Sequence, residues 1–223
     1  GLNIEQQPLS EGKHFFMATI RMNQDALLKL IAETGYNVGY AAKKHLSTFD
    51  MVEKLPGWIG LISLAVGIYA LFMPALEEKH VAAAFIVIGV ASMFLNFYAA
   101  DRDKYHQVGS QLTGKFHELR DLYQRVKSQQ AGTDMAPFLT EHRRIQNEAL
   151  RIGIPKQLFL SDWYAHYKFF WQAQIGWIDE QQQFRLVRDK LPLGLTVLVI
   201  ASAVASAAWL AYHSNAVVRF FSC

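Results

Sequence analysis

Ser92 and Asn96 stand one helical turn apart inside a run of apolar residues, and Ser202 and Ser206 repeat that spacing in another run. Residues four apart share a helix face. A hydroxyl or amide at membrane depth faces a bundle interior or water, so both stripes are candidates to line a polar path. The plainer account of the first is an interhelical hydrogen bond, worth only about 0.6 kcal/mol on average in lipid. For the second it is close oligomer packing, since Ala201–Ala208 is rich in small residues and Thr196 and His213 lie near the same face. A third group is basic and aromatic: Arg143, Arg144, Arg151, Lys156, Trp163, Tyr164 and Lys168. Guanidinium forks suit phosphates and aromatic faces suit stacked bases, so these are candidates for a nucleotide or oligonucleotide ligand. Glu141, Glu148 and Asp162 interleave them, and a solvated helix face over an aromatic core accounts for the same residues.

The polar stripes sit in three apolar segments, Trp58–Leu76, Val81–Ala100 and Leu191–Tyr212, none of which contains Asp, Glu, Lys or Arg. A bilayer core of about 30 Å needs roughly 20 mostly apolar residues to span it. Mean hydropathy over the whole chain is only +0.08, because the remainder is ordinary polar, helix-forming sequence. The first two segments are joined by the short stretch Glu77-Glu78-Lys79-His80, which makes them antiparallel neighbours. The first carries a stripe of small residues, Gly60, Ser63, Gly67, Ala70 and Pro74, and the second has its own stripe of Gly89, Ser92, Asn96 and Ala99. Packing rather than hydrophobicity drives helix association in lipid, so Gly60, Ser63, Gly67 and Gly89 are the candidate helix-packing positions.

Outside the spans, apolar residues recur at helical spacing from Lys13 to Leu55, with Gly35 and Gly39 expected to interrupt or kink that helix. Leu55-Pro56-Gly57-Trp58 marks the membrane boundary, with an indole where indoles collect. Tyr105, Val108, Leu112, Phe116, Leu119, Leu122 and Val126 keep a near-heptad rhythm. This predicts one helix from the second span to about Ser128, with a coiled-coil-like seam for a partner helix. Asp134 is expected to cap a helix over Met135–Ile152, and Ser161 or Asp162 to cap the next. That helix leads toward the third span, with Pro192 at the junction. The reading is an all-α integral membrane protein: a transmembrane hairpin, a third transmembrane helix, and long cytoplasmic helices forming a bundle-like stalk. Its parts are an N-terminal amphipathic helix (1–55), the hairpin (56–100), a cytoplasmic helical domain (101–190), and the third span with a short external tail (191–223).

Other chemistry is thinly represented. Neither GxxxxGK[ST] nor GxGxxG occurs, there is no CxxC pair, and the eight histidines form no HExxH arrangement. The single cysteine, Cys223, is given no role. No catalytic residue, metal or cofactor is expected, and no signal peptide is read at Gly1-Leu2-Asn3. A net charge of +3 is too small to suggest nucleic-acid wrapping. Lys and Arg crowd the stretches before the first span and between the second and third, including Arg102, Lys104, Arg185, Arg188 and Lys190. The positive-inside rule then puts the N-terminus and central region in the cytoplasm and the C-terminus outside.

Taken together, Gly39-Tyr40-Ala41-Ala42-Lys43-Lys44-His45, the span pair from Leu55-Pro56-Gly57-Trp58, and the charged helix after Asp101-Arg102-Asp103-Lys104 resemble the SLATT family. These are two-transmembrane effectors associated with prokaryotic nucleotidyltransferase conflict systems. Ile154-Pro155 and Asp162-Trp163-Tyr164 are similar to that family's helical tail, whereas the third span departs from the two-span plan. The resemblance implies an abortive-infection effector of the bacterial inner membrane. It would oligomerise, as a tetramer on a first guess, into a pore controlled by a nucleotide or single-stranded oligonucleotide from a partner nucleotidyltransferase. The rival reading is a non-conducting scaffold that recruits a soluble partner through its cytoplasmic helices. A holin-type lesion-former is disfavoured by the large central region.

Overall fold

The computed structural model describes residues 23–73, 79–185 and 189–221. Among them all regular secondary structure is helical. Helix α1 runs Gln24–Ala70, α2 Lys79–Ala99, α3 Arg102–Lys127, α4 Ala136–Leu150, α5 Ser161–Tyr167, α6 Gly176–Gln182 and α7 Leu193–Phe221, with a π-helical turn at Lys168–Gln172 after α5. The Asn23 side chain accepts the Ala26 N–H at 2.8 Å and starts α1, with Asp25 in the first turn. Both features complement the exposed donors and positive end of a helix N-terminus.

The heptad-like face of α3 finds its partner inside the same chain. Helices α1 and α3 lie antiparallel, with the Gln24 amide donating to the Val126 carbonyl (2.7 Å) at one end and Leu46 against Gly109 near the other. Leu27, Ile31, Leu112, Leu119, Leu122 and Val126 form the seam and are almost fully buried. The sequence pattern predicts an interruption at Gly35 and Gly39, but α1 passes through both. These glycines serve side chains arriving from elsewhere. A Cβ on Gly35 would stand 2.2 Å from the Trp177 ring, and one on Gly39 would stand 2.6 Å from Phe116 and 2.8 Å from Phe169. Gly109 plays the same part on α3, where a Cβ would meet Leu46 at 2.6 Å.

Helix α4 closes the module against α1 and α3. Asp134 accepts the Ala136 N–H (3.0 Å) as expected of a cap, although Met135 holds the cap position itself. Thr34 and His142 meet at 2.8 Å in the interior, joining α1 to α4. Burial, helped by the charge of Arg143, holds the His142 imidazole below the usual histidine range.

The expected continuous helix from Ser161 toward the third span is not formed. Leu160, in the left-handed region at φ 68°, occupies the cap position in place of Ser161 or Asp162. After the π turn the chain becomes extended at Ala173, and α6 ends at Gln183 with φ 51°. These breaks turn Trp177 back onto Gly35, which a straight helix does not allow. The single helix expected from the membrane to Ser128 is likewise divided. A turn at Ala100-Asp101, where Asp101 pairs with Lys104 (2.8 Å), separates apolar α2 from charged α3. Helix α1, in contrast, is unbroken from the module through Pro56 to Ala70. A proline is tolerated here because a membrane-embedded helix can satisfy the freed carbonyl locally.

Three helices, α1, α2 and α7, contain segments long and apolar enough to cross a membrane. The apolar windows are nearly bare of protein: 6%, 11% and 0% of their residues are buried. Because residues on either side of the α1–α2 hairpin pack into one module, those parts share one side of the membrane the spans would cross. The stretch Pro74–Glu78, the N-terminal arm with Lys13 and Arg21, Arg188 and Cys223 lie outside the described residues.

Two outcomes follow for stability. Gly39→Ala is expected to destabilise the module by about 1–3 kcal/mol through overpacking against two buried rings, whereas Gly114→Ala, with open space around it, should stabilise α3 by up to about 1 kcal/mol. Thermal melts followed by circular dichroism compare the two. For His142 the folded chain holds its proton less tightly than the unfolded chain. Stability is therefore present above the ordinary histidine value and is lost as pH falls through and below it. Melting midpoints should drop between neutral pH and about pH 5, and His142→Gln should flatten that slope.

Candidate functional site

The polar side chains that the sequence places on the apolar faces of α1, α2 and α3 converge on one short segment, Ile154–Gln157. His45, buried on α1, accepts the Ile154 N–H at its Nε2 (3.1 Å) while its Nδ1–H donates to the Ala41 carbonyl (2.8 Å). These two partners define its tautomer. Thr48, one turn closer to the membrane on α1, donates to the Gln157 side-chain oxygen at 2.8 Å. Tyr98 at the end of α2 donates to the Gln157 carbonyl (3.2 Å), and Tyr105 in the first turn of α3 donates to the Lys156 carbonyl (2.7 Å). Val52, Leu95, Tyr98, Tyr105 and Leu158 form a small apolar core around these bonds. This is a clasp at the foot of the spans: one segment holds α1, the end of α2 and the start of α3 together. Burial pushes the Tyr105 hydroxyl above its ordinary value, with Asp101 adding to the effect, so it remains a donor at neutral pH.

The basic and aromatic candidates are distributed around this clasp and beyond it. Lys156 donates to the Phe97 carbonyl in the last turn of α2 (3.1 Å) and lies 4.5 Å over the Tyr98 ring. A cation at a helix C-terminus is favourably placed. Trp163 receives the third span, since a Cβ on Gly194 in the first turn of α7 would lie 3.1 Å from its Nε1. Trp163 and Tyr164 line a cleft of about 350 Å³ with Asp50, Lys54 and Leu55, just below Pro56. That is the level at which amphipathic rings collect in membrane proteins. Lys168 pairs with Asp50, both side chains mostly buried, and stands 4.4 Å over the Tyr164 ring. Its partner carboxyl is held low by the Lys168 and Lys54 ammonium groups, against the effect of its own burial.

Arg144 belongs to a different surface, bridging Glu118 (3.2 Å) and Glu148 (2.8 Å), where Lys115 also binds both carboxylates. Arg143 and Arg151 are exposed at α4 and its end. The structure thus brings Trp163, Tyr164 and Lys168 together, sets Lys156 under α2, and places Arg144 in an ion-pair network between α3 and α4.

In the spans, Asn96 is exposed and Ser92 is half-buried, its hydroxyl donating to the Ile88 carbonyl of its own helix (3.0 Å). Ser202 and Ser206 are exposed on α7. Among the described residues, nothing outside the local helix backbone lies within 4 Å of a would-be Cβ on Gly60, Gly67 or Gly89, and Ser63 is half-covered. His45, Thr48, Tyr98, Tyr105 and Gln157 are not among the site residues expected from the sequence, which reads Tyr105 only as part of the α3 seam and His45 only as part of the family motif. The available signal was polar residues at buried helical positions, as with His45 and Thr48 beside the apolar Val52 on α1.

A helical module fixed by its own core at the feet of three bare apolar helices defines an integral membrane protein of the all-α class. Residues 22–199 match the family model described as SMODS and SLOG-associating 2TM effector domain 6, and the chain belongs to that family. It is a membrane effector of conflict systems. The matched region takes in both spans of the α1–α2 hairpin and ends within the first two turns of α7. No curated protein and no solved structure matches the chain.

Replacing Tyr105 by Phe removes the bond to Lys156 while keeping the ring. The expected cost is about 1 kcal/mol, read as a lower melting midpoint and faster amide exchange at Ile154–Gln157. Unchanged exchange there would show that the clasp does not depend on this hydroxyl.

Proposed function

We propose that this chain is the subunit of a homo-oligomeric pore of the bacterial inner membrane. The pore acts in anti-phage defence, and its opening is set by a nucleotide or oligonucleotide signal acting on the helical module. The observation that carries the reading is the state of the spans. Among the described residues, a Cβ on Gly60, Gly67 or Gly89 would meet nothing beyond its own helix within 4 Å, and Asn96 is exposed. Small-residue faces associate in lipid and intramembrane amides seek a bundle interior, so a second copy of the chain is the natural occupant. Ser92 and Asn96, with Ser202 and Ser206 of α7, are the proposed lining. The excess of Lys and Arg outside the spans supports a cytoplasmic module and an external C-terminus. Membership of a two-transmembrane effector family agrees with a product that acts on the membrane itself.

Purified chain in liposomes should release potassium, and planar bilayers should show discrete current steps. Asn96→Leu and Ser206→Leu should each change the unitary conductance while leaving the module's melting unchanged. Folded, reconstituted protein that stays silent with every nucleotide added would instead favour a scaffold that recruits a soluble partner.

A further inference from the structure

The module contains a cationic recess that none of the residues discussed above explains. It lies between α1 and α3, has a volume of about 120 Å³, and is floored by Phe116 and Phe169. Lys43 approaches from α1, and Thr113, His117 and Arg120 from α3. The three α3 residues follow one another at intervals of four and three, so they share a helix face. No Asp or Glu lines the recess among the described residues. Nearby acids are engaged elsewhere: Asp50 binds Lys168 and Lys54, Asp162 binds Lys44, and Glu118 binds Lys115 and Arg144. Among the described residues, the acid paired with Arg120 is its exposed sequence neighbour Asp121, at 3.9 Å. Burial, with the added repulsion of Lys168, lowers the Lys43 ammonium below its ordinary value. Half-buried cations without a close carboxylate are costly unless an anion is supplied. Phe169 comes from the π-helical turn, a form of helix found frequently at functional sites, and Ala173 and Gln174 line the recess from its exit.

We propose that this recess binds the phosphate group of a water-soluble small molecule. Arg120 supplies a planar fork of donors, Lys43 a point charge and Thr113 a hydroxyl, and the two phenyl rings offer an apolar floor to whatever carries the phosphate. A lipid headgroup offers the same phosphate, but the geometry disfavours it. From Lys43 to Trp58 the continuous helix α1 rises about 22 Å at 1.5 Å per residue, well beyond the roughly 5–8 Å of headgroup region on each face of a bilayer. The two helices that hold the recess are also those connected to the first two spans, α1 directly and α3 through the turn at Ala100-Asp101. A ligand drawing Lys43 and Arg120 together would bias the spacing of those spans. This regulatory consequence rests on the pore reading, but the binding does not.

The test is calorimetric titration of the full chain in phosphatidylcholine nanodiscs with pyrophosphate and with ADP. Saturable binding is expected. Lys43→Met and Arg120→Met should each weaken it about tenfold, equivalent to about 1.4 kcal/mol. Ala173→Leu, which narrows the recess without touching a charge, should weaken it as well. Lys44→Met, whose partner is Asp162, should leave it unchanged, and circular dichroism melts establish that each variant is folded. The proposal is overturned if neither probe binds, or if the Lys43 and Arg120 variants bind like the parent. It is also overturned if phosphatidylglycerol in the disc displaces pyrophosphate, which would assign the recess to lipid. Failure here leaves the liposome and bilayer currents untouched, so it is distinguishable from failure of the pore.

Discussion

The close approach of aromatic rings to the backbone of α1 is the contact on which the rest of the molecule depends. Trp177 lies against Gly35, and Phe116 and Phe169 against Gly39. Rings packed on bare backbone leave little freedom for sliding, because interiors at crystal-like density tolerate few voids and little overlap. Helix α1 contains 47 residues, so it is a rod of about 70 Å, and its upper part is the first span. Whatever fixes its lower half therefore fixes the position and rotation of a membrane helix. The same argument reaches α2 through α3, whose register against α1 is set by Gly109 and Leu46.

The clasp at Ile154–Gln157 makes this arrangement cooperative. His45 and Thr48 belong to the first span's helix, Tyr98 to the second, and Tyr105 to the helix that follows. Each bond alone contributes about 1 kcal/mol. Together they close a small apolar core in which losing one partner leaves a half-buried polar group unpaired. Trp163 stands against the first turn of α7, so all three spans begin or end within this neighbourhood. The surface ion pairs between α3 and α4 add little stability in water. They do fix which face of α4 is presented to solvent.

How much of this was legible in the sequence follows the range of the interactions. The three apolar segments and the all-helical character depend on local composition and period, and both are found. The heptad-like seam from Leu112 to Val126 was visible too, although its partner proved to be α1 of the same chain. Gly35 and Gly39 read as helix interrupters because locally they are. Only the arrival of rings from residues far along the chain shows why they are tolerated inside a helix. The π turn at Lys168–Gln172 and the left-handed Leu160 and Gln183 carry no local signature, since neither Leu nor Gln favours that conformation. The basic and aromatic candidates were selected by type. Trp163, Tyr164 and Lys168 do gather, whereas Arg144 answers to Glu118 and Glu148. Lys43, His117 and Arg120 were missed because their juxtaposition depends on the antiparallel register of two helices.

The central claim is that the bare faces of the spans are covered by further copies of the same chain. Native mass spectrometry of the protein in nanodiscs tests it most directly. The account predicts one closed stoichiometry of several subunits that survives dilution and is lost when Gly67 and Gly89 are replaced by Leu. A monomer at all concentrations, with its spans covered by lipid alone, would contradict it.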